Sequence, residues 1–117
     1  MNETTGPVCA VLDLGSNSFH LLVGRLEAGR IVMLDRRKDM VRLAQRLGTD
    51  GRLDEKVMQR ALDSLTTFAQ QLRNVPRTNL RVVATNTLRT AANADAFLER
   101  VEKIIGVPID VISGQEE

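Results

Sequence analysis

Apolar and polar positions along the chain predict a group of three strands near the start. A short apolar run at 8–12 indicates a buried strand that leads into a polar turn at 13–18. Two further apolar stretches, 19–26 and 31–35, are joined by the polar link 27–30, which contains a glycine. A short link of this kind is typical of a hairpin. We therefore expect an antiparallel meander of three strands.

The middle of the chain carries one apolar face over four helical turns. Its apolar residues recur at three- and four-residue spacing: Met58, Ala61, Leu62, Leu65, Phe68, Ala69 and Leu72. Asp54 is the expected N-cap, and Leu53 and Met58 have the spacing of a hydrophobic staple across it. A second helical pattern at 97–105 stops at Gly106.

The remaining segments complete the order β-β-β-α-β-α-β. Apolar runs at 80–84 and 108–112 predict two more strands, each reached through a helix, so they should pair in parallel. The charged segment 36–52 predicts a loop that holds at most a short helical turn. The expected fold class is α/β: one domain, 1–117, with a mixed five-stranded sheet, the plan of a ribonuclease-H-like lobe.

Three polar segments follow strand ends in this plan, at 13–18, 85–89 and 113–117. Ligands of open α/β sheets bind at the carboxyl ends of the strands, so we expect the three segments to converge on one edge.

The first of these segments has the residues of a phosphate-binding turn. Gly15 lets the backbone turn closely, and the amides and side chains of Ser16, Asn17 and Ser18 suit an anionic oxygen. Asp13 at the strand end suits a hydrated Mg²⁺. An ordinary hairpin turn accounts for the same residues equally simply.

The other two segments also have two interpretations each. Arg89 could bind a phosphate through two parallel hydrogen bonds, or it could be a surface arginine after a capping sequence. Glu116 and Glu117 could supply a general base for water, or they could form the acidic first turn of a helix. His20 lies in an apolar run, where a packed histidine and a catalytic one both fit.

Composition narrows the functional classes. With 16 Lys+Arg against 15 Asp+Glu, the net charge of +1 argues against a generally basic nucleic-acid binder, and the lack of Trp and Tyr argues against base stacking. Cys9 is the only cysteine, which excludes an internal disulfide and a cysteine-cluster zinc site. We expect no membrane span and a cytoplasmic location, since no apolar run is long enough and the start lacks a signal-peptide pattern.

The charge is uneven along the chain. Segment 30–52 holds seven basic residues against three acidic ones, which suits either a basic stripe that guides a polyanion or a solvated loop.

Three runs of sequence carry a resemblance to a known family. They are AVLDLGSNSFHLLV at 10–23, RVVATNTLRTAANADAFLERVEKIIG at 81–106 and VISGQEE at 111–117. In this order and spacing they resemble the exopolyphosphatase / guanosine pentaphosphate phosphohydrolase family, over nearly the whole chain. Members of that family belong to the sugar kinase–Hsp70–actin superfamily, the actin-like ATPase fold. Their active site lies between two ribonuclease-H-like lobes.

The resemblance implies a role for each candidate residue. The segment from Asp13 to Ser18 resembles the first phosphate-binding loop, in which Gly15, Ser16, Asn17 and Ser18 bind phosphate and Asp13 lies near the Mg²⁺. Arg89 corresponds to an arginine that contacts substrate phosphates, and Glu117 to the catalytic glutamate that activates water. The implied reaction releases orthophosphate from inorganic polyphosphate; the alternative substrate is guanosine pentaphosphate, a nucleotide of the stringent response, cleaved at its 5′ γ-phosphate.

One departure from the family pattern affects the expected domain organisation. No glycine-rich second phosphate loop is found in these residues. We therefore expect 1–117 to be the first lobe of a two-lobe core whose second lobe is absent from this chain. Such a chain alone should have little hydrolase activity, and the full-length protein could be a homodimer. A kinase or ATPase lobe of the same superfamily, and a non-catalytic polyanion-binding module, are the alternatives.

Overall fold

The architecture was obtained as a computed structural model that describes residues 6–43, 52–85 and 93–112. Five strands and two helices follow one another in the predicted order. They are β1 (Val8–Leu14), β2 (Ser18–Glu27), β3 (Arg30–Met40), α1 (Glu55–Gln71), β4 (Leu80–Thr85), α2 (Ala94–Ile105) and β5 (Ile109–Ile112). A single 3-10 turn, Arg77–Asn79, precedes β4.

The strands form one mixed sheet in the order β3-β2-β1-β4-β5. β1 pairs antiparallel with β2, and β2 pairs antiparallel with β3. On its other side β1 pairs in parallel with β4, which pairs in parallel with β5. This is the sheet of a ribonuclease-H-like lobe, so the expected fold class is confirmed.

The core lies on one face of this sheet because apolar residues alternate with polar or half-buried ones along the strands. Leu12 and Leu14 of β1 are fully buried, as are Phe19 and Leu21 of β2, whereas Asp13 between the two leucines is only half-buried. The apolar faces of both helices cover these side chains. Their buried residues include Leu65, Phe68, Phe97 and Val101.

The predicted hairpin turn between β2 and β3 and the predicted end of α2 are confirmed. Ala28 and Gly29 join β2 to β3 with φ values of 52° and 76°, and two positive φ values are what the tight hairpin turns of twisted strands require. Gly106 ends α2 with φ 89°, and its amide donates to the Glu102 carbonyl at 2.7 Å.

The structure corrects the prediction for segment 36–52 in its first part. Residues 36–40 continue β3 as an edge strand and are not a loop. The error arose because β3 is exposed on most of its length, so charges and apolar residues such as Ile31, which is 60% exposed, occur without a buried face. Asp35 in this strand accepts a 3.0 Å hydrogen bond from Arg37 Nε, which holds the pKa of the Asp35 carboxyl below its usual value. Residues 44–51 lie outside the described ranges.

Asn93 ties the starts of the two helices together. It occupies the N-cap position of α2 but forms no side-chain cap there. Its Oδ1 instead accepts from the Leu53 amide at 2.8 Å, and its Nδ2 donates to the Leu53 carbonyl at 3.2 Å. Leu53, only 5% exposed, immediately precedes Asp54, the N-cap of α1, and Met58 is also buried as the predicted staple requires. The predicted cap position is therefore confirmed, although the Asp54 side chain makes no capping hydrogen bond.

Replacing Asn93 by leucine should destabilise the protein by about 3 kcal/mol, because a buried donor and a buried acceptor of Leu53 lose their partners together. Urea-induced unfolding measures this change. Gln59→Leu is the matched control, since the Gln59 amide bonds only to Asp63 on an exposed helix face and its loss should cost less than about 0.5 kcal/mol. Equal effects of the two variants would contradict the role given to Asn93.

Candidate functional site at the carboxyl ends of the strands

Three parallel strands end together at one edge of the sheet. Leu14 of β1 pairs with Ala84 of β4, and Thr85 pairs with Ile112 of β5, so the register brings the three carboxyl ends level. The chain leaves this edge into all three predicted site segments, and the structure describes the first of them. Arg89 and Glu117 lie outside the described residues, and their roles stay predictions.

The loop between β1 and β2 is a tight reversal of three residues, Gly15 to Asn17. The Gly15 amide donates to the Ser18 carbonyl at 3.0 Å, which closes the loop. A Cβ atom on Gly15 would lie 2.9 Å from that same carbonyl oxygen, so only glycine fits without moving the backbone. The bounds differ slightly from those predicted, since Asp13 belongs to β1 and Ser18 to β2.

Two loop amides are left for a ligand. The main-chain N–H groups of Ser16 and Asn17 have no hydrogen-bond partner within the part of the chain that the structure describes. The Asn17 carbonyl accepts a hydrogen bond from the Arg42 amide at 2.7 Å, and Arg42 has a left-handed φ of 55°. Adjacent unpaired amides on a fixed loop form a concavity for an anionic oxygen.

Asp13 lies on the face of the sheet that the described helices leave uncovered. Across the strands it is level with His20 of β2, which is level with Lys38 of β3. The half-buried Asp13 carboxylate makes no hydrogen bond or ion pair among residues 6–43, 52–85 and 93–112.

This donor set fits Mg²⁺. The ion is commonly held by one or two carboxylates together with waters and substrate phosphates, so a single free carboxylate beside an anion-binding loop is sufficient on the protein side. No group of three or more potential metal ligands occurs within the described ranges. Asp13, whose carboxylate has no partner among these residues, is the residue that would hold the ion.

Ser18 and His20 share the uncovered face because they are two positions apart on β2. Ser18 Oγ lies 3.0 Å from His20 Nε2, in a half-buried position. His20 is therefore neither a core histidine nor an isolated one: it contacts a side chain of the predicted phosphate loop. Period-two spacing along a strand was the sequence signal that could have linked the two residues.

A basic recess adjoins the loop. It has a volume of about 580 Å³, and the cations that line it are Arg42, Lys56 and Arg60, with Asp54 beside them. Arg60 donates to the Met40 carbonyl at 3.3 Å, and none of the three cations forms an ion pair within the described residues. The contribution of α1 to this recess could not be seen in the sequence, because only the packing of α1 beside the end of β3 brings Lys56 and Arg60 next to Arg42.

Other features of the described chain lie away from this edge. Cys9 is half-buried and free. A second recess of about 580 Å³, lined by Arg73, Arg77 and apolar residues of both helices, lies towards Leu80, at the amino end of β4. Among the described helices, none has the length and apolar character needed to cross a membrane.

Comparison with known proteins agrees with this fold. The Ppx/GppA phosphatase family matches residues 22–117. The "Guanosine-5'-triphosphate,3'-diphosphate pyrophosphatase" of Vibrio atlanticus strain LGP32 is 48% identical over 118 residues, which cover 100% of this chain and 24% of the relative. A crystal structure of the Aquifex aeolicus member of the Ppx/GppA family superposes with a TM-score of 0.85 at 28% identity, over 94% of this chain and 36% of that one.

A third similar protein is named an exopolyphosphatase. The exopolyphosphatase from Cytophaga hutchinsonii ATCC 33406 superposes with a TM-score of 0.83 at 30% identity, over 94% of this chain and 35% of that one. The sheet and the strand-end loop thus define a lobe of the actin-like ATPase fold. The chain belongs to the Ppx/GppA phosphatase family, and it spans about a quarter of the length of the curated relative it matches.

Gly15→Ala should displace the Ser18 carbonyl and loosen the hydrogen bond between the Arg42 amide and the Asn17 carbonyl. We expect hydrogen exchange of the Arg42 amide to accelerate about tenfold or more, which corresponds to roughly 1.4 kcal/mol of local opening. Asn17→Ala is the matched control: it keeps the backbone carbonyl and should change that rate by less than about twofold. Unchanged exchange in Gly15→Ala would show that the loop does not need glycine.

Proposed function

We propose that the full-length protein carrying this chain hydrolyses the 5′ γ-phosphate of guanosine pentaphosphate. One observation carries the proposal: within the described residues, two loop amides without a hydrogen-bond partner lie next to a carboxylate that also has none, at the edge where three strands end. An anionic oxygen and a cation could bind there side by side. The name of the 48% identical Vibrio relative supports the nucleotide as substrate.

Polyphosphate is the second candidate. The three cations of the basic recess, which form no ion pair within the described residues, suit a substrate with several phosphates. Both polyphosphate and the 3′-diphosphate of the nucleotide provide them. The Cytophaga neighbour named as an exopolyphosphatase favours this candidate. The expected cytoplasmic location and homodimer stay predictions.

The groups that would bind the terminal phosphate are the donors of the loop and Arg89. The amides of Ser16 and Asn17 and the hydroxyl of Ser18 donate hydrogen bonds to oxygens of the terminal phosphate. Arg89 adds a fixed positive charge with two donors. Donors that are already in place when charge shifts in the transition state stabilise it without reorganisation.

Asp13 would hold the expected Mg²⁺ beside the loop. When bound, the ion neutralises charge on the phosphoryl oxygens of the substrate. The Asp13 carboxylate fixes where that positive charge lies, because it has no competing partner within the described residues.

Glu117 would act as the general base. In the sequence it comes five residues after Ile112, the last residue of β5, and the carboxyl end of β5 lies at the same edge of the sheet as the loop. In this role its carboxylate accepts a proton from a water molecule as the water oxygen attacks the terminal phosphorus. The bond from the terminal phosphorus to the bridging oxygen then breaks. The bridging oxygen leaves with the shortened substrate, and the terminal phosphoryl group, now bonded to the oxygen of the water, is released as orthophosphate.

Glu117→Gln in the full-length protein should lower kcat for phosphate release by about a hundredfold or more, because the amide cannot accept the proton. The measurement is orthophosphate release with Mg²⁺ from guanosine pentaphosphate and, separately, from long polyphosphate. KM should change little, since binding rests on the loop and on cations.

Glu116→Gln is the matched control, because it removes one negative charge from the neighbouring position and should keep most of the activity. Faster release from the nucleotide supports the proposed substrate, and faster release from polyphosphate would favour the second candidate. Release that is equally fast in wild type and Glu117→Gln would contradict the role of Glu117. No release from either substrate by wild type would contradict the hydrolase proposal.

A further inference from the structure

We propose that His20 is a positioning residue that orients the Ser18 hydroxyl towards the substrate phosphate. This inference rests on the proposed function and adds to it a residue that the family resemblance did not assign. Its basis is the 3.0 Å contact between His20 Nε2 and Ser18 Oγ, which is the only side-chain hydrogen bond of either residue within the described part of the chain.

The backbone fixes this contact on both sides. Ser18 begins β2 and its carbonyl closes the loop by accepting from the Gly15 amide. His20 is two residues further on the same strand, paired with β1 on one side and with β3 on the other. Both residues therefore have little freedom to separate, and the rotation of the Ser18 hydroxyl is the remaining variable.

Hydrogen-bond chemistry decides which rotation is useful. A serine hydroxyl has one hydrogen to donate and two lone pairs to accept with. If His20 Nε2 is unprotonated, it takes that hydrogen, and Ser18 can offer only lone pairs to an anion. If Nε2 carries the proton, His20 donates to Oγ, and the hydroxyl hydrogen is left for a phosphate oxygen. An anionic substrate therefore selects the form of the ring that carries hydrogen on Nε2.

The charged neighbours of His20 lie on the two flanking strands. Asp13 of β1 and Lys38 of β3 are level with it on the uncovered face, one on each side. These two neighbours carry opposite charges, and neither forms a hydrogen bond or an ion pair with His20 within the described residues.

A double-mutant cycle in the full-length protein tests whether His20 acts through Ser18. Ser18→Ala should raise KM for guanosine pentaphosphate about tenfold or more, since a hydrogen bond to a charged oxygen is lost. His20→Leu should raise KM about threefold to tenfold, with kcat within about twofold of wild type. In the Ser18→Ala background, His20→Leu should have almost no further effect. Leu22→Val, a change on the same face of β2, should leave KM unchanged.

Conservative variants locate the atom that matters. A glutamine amide can reach the position of histidine Nε2, whereas the shorter asparagine reaches only the position of Nδ1. His20→Gln should therefore restore most of the wild-type KM, and His20→Asn should resemble His20→Leu. Additive effects in the cycle, or His20→Gln as impaired as His20→Leu, would overturn the proposal. A merely structural role for His20 would lower stability and the active fraction without a selective rise in KM.

A second readout does not depend on turnover. Nitrogen-15 NMR of histidine-labelled protein, with the His20 signal assigned by its loss in His20→Gln, reports which ring nitrogen carries hydrogen. With a non-hydrolysable analogue of the substrate bound, we expect hydrogen on Nε2 and a changed Nε2 shift in Ser18→Ala. An Nε2 without hydrogen in that complex would overturn the inference even in an active enzyme. A protein with the expected tautomer that releases no phosphate would instead contradict the proposed function.

Discussion

The position of the central strand β1 is the constraint on which the rest of the structure depends. β1 is hydrogen-bonded along both sides, antiparallel to β2 and parallel to β4, so its register fixes both neighbours. Leu12 and Leu14 must face the helices, and period two then turns Asp13 to the opposite face. A slip of one residue would expose the leucines and bury the carboxylate. The register that packs the core therefore also places Asp13 at the site.

The fold was predictable because its signals are local. The helical period of α1, the glycine that ends α2 and the glycine link between β2 and β3 each specify an element without tertiary information. β3 was cut short because an exposed edge strand has no buried face to impose an alternating pattern. Asn93 was missed for a different reason. Its contact with Leu53 spans 40 residues, and an asparagine at a helix start is expected to cap its own helix.

The candidate site, like the fold, combines features that are local in sequence with features that depend on tertiary contacts. Gly15 and the polar residues after it were predictable from sequence, and the structure adds which donors are free and which are occupied. The Gly15 amide donates to the Ser18 carbonyl and closes the loop, so the amides of the next two residues are the ones available to a ligand. The Ser18 hydroxyl is hydrogen-bonded to His20. The basic recess combines Arg42 with cations from α1, and only the packing of α1 beside the end of β3 brings them together.

The central claim is that the loop after β1 seats the terminal phosphate with a cation held by Asp13. A crystal structure of the full-length protein with Mg²⁺ and a non-hydrolysable analogue of guanosine pentaphosphate tests it most directly. The account predicts terminal phosphate oxygens within hydrogen-bond distance of the amides of Ser16 and Asn17, and an ion on the Asp13 carboxylate. A terminal phosphate seated elsewhere, for example beside Arg73 and Arg77 at the other end of the helices, would contradict it.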